Sequence, residues 1–404
     1  MPVHRHYDLT VVLNYYLPYV SGLTETAREI AEGLAARGHR VAVVACRHDR
    51  SLPRRERHGG VDIYRSPVIG RISRGPVSPA FGALVARLAR NSRTVHLHTP
   101  MLEAGLLARL CPGTRLVTTH HADLLPGSGL LGSTAVRALD ASAAAAMRRS
   151  SAVVVNSLEQ ARHSRLWPHL RELPLVPIAA PCRDRSGGRP RYREGPGLHI
   201  GYAGRIHPEK GLEYLVRAFR LRAAPHDRLL LAGDYLTVAG GSNVDALRKE
   251  IAGDPRVALL GLLDHRRMCD FYASIDVFAL PSITESFGIA QTEAMMCGIP
   301  AVTSDVPGGR VPVTATGFGR LVPPRDPAAI AEAIAEVGRP TPRQRTAGAA
   351  RARALFGLDG CLDAYEKTLV RPEETPGPAA AATSAATPQC RPWCHNTPST
   401  RSNR

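Results

Sequence analysis

An α/β fold of two Rossmann-like domains is predicted by three features of this 404-residue sequence. Short apolar runs of strand length alternate with segments of helical spacing, the pattern of a parallel sheet wrapped by helices. Between residues 181 and 197 the pattern breaks, and Arg, Gly and Pro accumulate without apolar periodicity, as in an interdomain linker. Beyond the break the alternation restarts, and 404 residues with 44% apolar content suffice for two cores.

Taken in order, the apolar run at 9–13 reads as a buried strand and 14–22, with Pro18, as a loop. Leu23, Ala27, Ile30 and Leu34 then share one helix face until Gly38 ends the helix. Strands follow at 41–45, 95–97, 116–118 and 153–155, so 1–180 is assigned as an N-terminal domain. After the linker, 198–203 is a strand, 204–211 a loop, 212–221 a helix and 229–232 a strand. Strands at 257–260, 277–280 and 300–303 continue the sheet. Helices over 265–273, up to Cys297, and over 328–337 complete a C-terminal domain spanning 198–355. Residues 356–371 read as a last helix that crosses back to the N-terminal domain, and 372–404, rich in Pro, Ala, Ser and Thr, as a disordered tail.

Composition narrows the function classes. Lys and Arg number 52 against 35 Asp and Glu, a net charge of +17; residues 1–180 carry 23 Arg against 12 acidic residues. Such a field favours polyanionic partners. With aromatic residues at 5% and no nucleic-acid motif, the base-stacking surface of a nucleic-acid binder is missing, so no nucleic acid is expected as partner. Peripheral contact with an anionic membrane fits better. Arg71 and Arg74, with Phe81, Leu84, Val85, Leu88 and the neighbouring Arg87, Arg90 and Arg93, read either as a basic amphipathic patch for a lipid-linked acceptor or as an ordinary surface helix. Without an apolar span or leader, the expected location is the cytoplasm, with the inner face of the membrane as the alternative. The eight cysteines are scattered as in a chain of reduced thiols; Cys390, Cys394 and His395 offer too few ligands for a structural zinc, and no metal is expected.

Two constellations carry chemistry. Gly204, Arg205, Lys210 and Gly211 lie at a strand-to-helix turn, where unpaired N–H groups and the helix dipole favour anions. Arg205 offers a planar fork and Lys210 a compact ammonium, a pair suited to two linked phosphates; Lys210 is one of only three lysines among 49 arginines. The second set, Pro281, Ser282, Glu285, Ser286, Phe287, Gly288 and Glu293, follows the strand ending at 280. Ligands collect at the carboxyl ends of such strands, and a carboxylate can accept two hydroxyl hydrogen bonds at once. Taken alone, each set also fits solvated surface charge.

Together with Gly261, Phe271, Tyr272, Asp276, Met295, Gly298, Pro300, Pro307, Gly308, Gly233 and Asp234, these residues resemble the donor-site signature of family 4 glycosyltransferases across nearly the whole C-terminal domain. The resemblance implies a GT-B fold with a donor/acceptor cleft between its domains, a nucleotide-diphosphate-sugar donor (UDP- or GDP-sugar), retention of anomeric configuration and no metal or other cofactor. By position, Arg205 and Lys210 would hold the diphosphate, amides from Phe287 to Ile289 would add phosphate contacts, Glu285 would bind a hydroxyl of the sugar and Glu293 the ribose. In the N-terminal domain, alignment of Thr119 and Asp123 selects His121 as the histidine near the anomeric carbon, with His120 as the alternative; His96 and His98 can also face the cleft. Gly22 stands where the family places a glycine against the phosphates, while Ser21 replaces a second one. The implied reaction is hexosyl transfer to a lipid-linked or small-molecule acceptor by same-face attack. Rival readings are a GT-B-like epimerase or phosphorylase, a silent nucleotide-sugar sensor that binds without turnover, and a basic nucleic-acid binder whose retention would be salt-sensitive.

Overall fold

The computed structural model describes residues 6–72, 75–124, 129–235 and 242–371. The tail, Cys390, Cys394, His395 and Arg74 lie outside the described residues. In the first half, β1 (Tyr7–Val12) leads into α1 (Gly22–Ala36), followed by β2 (Val41–Arg47), β3 (Arg55–His58), β4 (Val61–Pro67) and a small ribbon of β5 (Gly70–Ile72) and β6 (Gly75–Val77). Next come α2 (Phe81–Ala89), β7 (Ser92–Thr99), α3 (Ala104–Arg109), β8 (Arg115–His120), α4 (Gly129–Met147), β9 (Ala152–Val155), α5 (Leu158–Arg162), α6 (Trp167–Leu170) and β10 (Leu175–Pro177). Eight strands form one sheet in the order β10-β9-β8-β7-β1-β2-β4-β3, and only the β3–β4 pair is antiparallel. β1 and β2 are buried on both faces, which is why they read as continuous apolar runs. The edge strand β3 reads Arg-Glu-Arg-His and carries no apolar signal; its charges suit an unpaired edge.

The basic amphipathic patch is corrected here. Phe81, Val85 and Leu88 on α2 are buried in the core with Val12, Val44 and Leu97, so the apolar stripe has no free face. The alternative, a surface helix with its apolar side turned inward, describes α2. Among the described residues, no helix is long and apolar enough to cross a membrane.

In the second half, β11 (His199–Ala203), α7 (Leu212–Arg222), β12 (Arg228–Ala232), α8 (Val244–Ile251), β13 (Val257–Gly261), α9 (His265–Ser274), β14 (Val277–Leu280) and α10 (Ile289–Met296) follow one another. The chain continues through β15 (Ala301–Ser304), α11 (Val311–Thr316), β16 (Gly319–Val322), α12 (Pro327–Val337), α13 (Pro342–Phe356) and α14 (Leu358–Leu369). The sheet is wholly parallel in the order β13-β12-β11-β14-β15-β16, the strand order of a Rossmann fold. α13 has few large apolar residues, but Thr341 and Gln344 form a capping box that starts it and its Ala-rich body favours helix.

α14 belongs to the other half. Its Cys361, Tyr365 and Leu369 are buried in the core with Leu9, Ile30 and Leu34, while Arg37 of α1 reaches Asp363 at 2.7 Å and Glu366 at 2.9 Å. Between β10 and β11 the chain has no helix and only one isolated bridge, Cys182 to Gly357. It is tied down nonetheless: Cys182 is fully buried, and the amides of Arg189 and Tyr192 donate to Asp270 and Ser274 at 2.8 and 3.0 Å.

Candidate active site

In the second sheet the strand order reverses between β11 and β14, and the carboxyl ends of the strands at such a switch point are where open α/β sheets form their ligand crevice. The turns after these strands, 204–211 and 281–288, meet in it. Gly211 makes the meeting possible: its φ is +62°, and a Cβ there would lie 2.3 Å from the carbonyl oxygen of Pro281. The amide of Ile283 donates to the carbonyl of Glu209 at 2.8 Å, fixing the turns together. Lys210 is thereby held over the second turn, its Nζ donating to Glu285 Oε2 at 2.7 Å. Glu285 also accepts the Ser286 amide at 3.0 Å on Oε1 and the Ser282 hydroxyl at 3.3 Å on Oε2. Burial alone would push its carboxyl up, but the Lys210 ammonium and these donors hold it below the usual carboxylate range.

Arg205 stands at the far side of the first turn with Nη2 2.9 Å from Glu209 Oε1, and the Tyr202 hydroxyl donates to its carbonyl at 2.9 Å. Gly288, at φ +89°, begins α10, and no side chain caps that helix. The first-turn amides of a helix without such a cap are available as anion donors. Phe287 does not offer its ring to a ligand: it is buried against Phe356, 5.5 Å between ring centres, and anchors the turn. Two turns on, Glu293 is buried and already bound, accepting Arg185 Nε on Oε1 and the Tyr272 hydroxyl on Oε2, each at 3.1 Å. Burial wins at this carboxyl, which is raised despite Arg185.

The first half gathers imidazoles at the carboxyl ends of β7 and β8. His121 is buried with its Nε2 2.8 Å from His98 Nδ1, the two rings stacked 5.0 Å apart. His96, also buried, pairs with the Thr119 hydroxyl at 2.6 Å. Burial pushes His96, His98 and His121 down, to about 3 for His96 and well below the ordinary value for the others, so all three are neutral at pH 7. His120 is committed elsewhere: Nε2 lies 3.1 Å from Asp123 Oδ1. Burial raises the Asp123 carboxyl, but the bonds from His120, the Arg165 amide and Ser164 outweigh it and bring it to about 2. Gly22 opens α1 with nothing within 4 Å of where a Cβ would stand. Ser21 caps that helix, its hydroxyl accepting the Thr24 amide at 3.2 Å from an extended backbone that puts no strain on a serine.

Comparison with known proteins places this geometry. The family model for glycosyl transferases group 1 matches residues 197–339, and that of the glycosyl transferase 4-like domain matches 21–181. The chain is a group 1 glycosyltransferase of the GT-B fold. This transferase is 27% identical over 368 residues to a GDP-mannose-dependent alpha-mannosyltransferase of Mycobacterium tuberculosis, covering 86% of this chain and 92% of that protein. It is 32% identical over 211 residues to a D-inositol 3-phosphate glycosyltransferase of Xylanimonas cellulosilytica, covering 49% of this chain and 50% of the other. Sucrose-phosphate synthase of Thermosynechococcus elongatus superposes with a TM-score of 0.73 at 21% identity, over 89% of this chain and 97% of that one.

The glycosyltransferase thus brings Lys210, Glu285, Ser286, Gly288 and Ile289 to one crevice, with Arg205 on its rim and Glu293 below it. His121 and Gly22 lie at the corresponding strand ends of the other half. Sequence reasoning missed Arg185 and the pairing of His98 with His121. Nothing in the spacing marks Arg185, one arginine of many in a stretch without periodicity. The alternation of His96 and His98 along one strand was a visible signal that both rings share a face.

Proposed function

We propose that this glycosyltransferase transfers a hexosyl group from a nucleoside-diphosphate sugar with retention of configuration, and that GDP-mannose is the donor to try first. The observation that carries the reading is the Lys210–Glu285 pair at the switch point of the second sheet, beside the uncapped start of α10. Lys210 keeps two of its three donors for phosphate after serving Glu285. With Arg205 and the α10 amides it supplies the positive field that a leaving diphosphate requires, so no metal is needed to neutralise it. Glu285, ionised and fixed, accepts a hydroxyl of the sugar; Glu293 receives the ribose. The choice of guanosine is supported by two relatives aligned over most of their length, the M. tuberculosis protein and one of Mycolicibacterium smegmatis at 28% identity, both named GDP-mannose-dependent alpha-mannosyltransferases.

In the proposed reaction the bond from C1 to the phosphate oxygen breaks and the bond from the acceptor oxygen to C1 forms on the same face. The acceptor proton passes to the departing diphosphate. Glu285 accepts three donors within the protein and is poorly disposed to become a covalent nucleophile, which favours same-face attack over a glycosyl-enzyme. Neutral His121 offers a hydrogen bond to the sugar without repelling the developing positive charge at C1.

Donor consumption assayed with GDP-mannose, UDP-glucose and ADP-glucose, with EDTA present, tests the reading. GDP-mannose turnover unaffected by EDTA and an α-linked product support it. Tight binding of a nucleotide sugar with neither hydrolysis nor transfer would favour a sensor instead.

A further inference from the structure

We propose that Arg185 is an internal competitor for the donor ribose: its guanidinium holds Glu293, and a bound nucleotide takes the carboxylate over by displacing it. The inference rests on the ribose role proposed for Glu293. Both carboxylate oxygens are engaged, Oε1 by Arg185 Nε and Oε2 by the Tyr272 hydroxyl, and only 8% of the Glu293 side chain is exposed. Two donors leave acceptor sites on a carboxylate, but with so little of its side chain exposed Glu293 meets a ribose only where a covering group moves aside.

Tyr272 is not the one. It is fully buried, its ring packs against Phe271 and Phe278, and its hydroxyl is also 3.1 Å from the carbonyl oxygen of Ala290. Arg185 differs in being partly exposed and outside any packed ring cluster. It sits in the segment between β10 and β11 that has neither helix nor strand, its side chain is 13% exposed, and besides Glu293 it meets the His265 ring on α9 and, through its backbone, Cys297. A flexible four-bond side chain on irregular backbone yields more cheaply than a packed tyrosine.

The same segment grips the other half. Arg183, two residues earlier, donates through Nε to Glu29 Oε1 of α1 at 2.5 Å, in a cluster that includes Arg28. A few residues of chain therefore clasp α1 with one guanidinium and α10 with the next, and the ligand that enters the crevice competes for one of the two grips. Arg205 and Lys210 contribute contacts to the donor, whereas Arg185 lowers the fraction of enzyme ready to receive it, and apparent affinity falls by that fraction.

The sign of one substitution decides the matter. Arg185→Met keeps the length of the stem and removes the charge; titration calorimetry with GDP, UDP and their 2′-deoxy counterparts should show the preferred ribonucleoside diphosphate bound about tenfold more tightly than by the unaltered protein, within the range usual for coupled sites. Unchanged or weaker binding overturns the proposal. Equal affinity of the unaltered protein for ribo- and 2′-deoxyribonucleotides would instead remove the ribose reading of Glu293 on which it stands. The unaltered enzyme gives a second readout that survives a poorly folding variant: saturating nucleotide should speed amide hydrogen exchange over residues 183–189 while slowing it over 286–292. Slowing in both segments would overturn the competition.

Discussion

Behind β14 the polar groups are ions held by ions, with Lys210 2.7 Å from Glu285 and Arg185 3.1 Å from Glu293. Behind β7 and β8, beside the His120–Asp123 pair, are neutral groups held by neutral groups, with His98 against His121 and His96 against the Thr119 hydroxyl. Each state suits the species proposed to arrive there. A diphosphate needs fixed positive charge, and a carbon acquiring positive charge is not repelled by groups that carry none. The contrast also shows what burial does: the same desolvation that keeps the histidines uncharged is overcome at Glu285 by a cation in direct contact.

The comparison breaks first at Lys210. Lys210→Met should reduce transfer by about 10³-fold, as loss of a principal electrostatic stabiliser does. It should also destabilise the fold by about 3–5 kcal/mol, because Glu285 is left buried without its partner. If the pair is the electrostatic centre of the site, adding Glu285→Leu recovers stability in denaturant titrations while activity stays lost. Recovery of activity would contradict the assignment.

Next in size is His121→Asn, for which kcat should fall by about 10²-fold with little change in the Kd for free GDP, since the imidazole is assigned to the sugar and not the nucleotide. Single-turnover kinetics and calorimetry separate the two. Equal losses in both quantities would move His121 into the phosphate site.

The neutral cluster has its own signature in acid. His96, His98 and His121 are depressed in the folded state, so below about pH 6.5 the unfolded chain binds more protons and stability is lost as pH falls towards the folded values. Each contributes a slope of up to about 1.4 kcal/mol per pH unit in that window, and none above it. Melting curves from pH 7.5 to 5 should show this decline, shallower in His96→Asn. The smallest effect is expected at Arg37→Ala, where a partly exposed pair with Glu366 is lost at a cost of about 1 kcal/mol or less without change in kcat.

What could be read from the sequence follows the same division. Lys210, Glu285 and Gly288 are legible because strand, turn and helix put them close along the chain, where spacing carries information. The strands buried on both faces, such as β1, β2 and β14, are legible as apolar runs; the structure adds Tyr7 to the first, where its backbone pairs with Ser92 and its hydroxyl bonds Asp62 and Tyr64. The ribbon of β5 and β6, and β3, have no such run, and α13 is specified by its cap more than by periodicity. The Arg185–Glu293 pair joins residues 108 apart and the His98–His121 pair residues 23 apart on adjacent strands. Neither is a pattern in one dimension: the first needs the irregular segment laid against α10, the second β7 laid beside β8.

The return of α14 to the first half bears on how this molecule can be cut. Tyr365 and Leu369 are fully buried there beside Leu9 and Ile30, so the first core is assembled from two stretches of chain with the entire second sheet between them. A fragment comprising residues 1–180 would expose an apolar groove along α1 and should aggregate. One running from 197 to 356 would lose nothing of its own sheet. Expressing the halves separately is thus an asymmetric undertaking, and a permuted gene that begins near residue 357 and runs through a short join into residue 6 would give the first half all of its core in one uninterrupted piece.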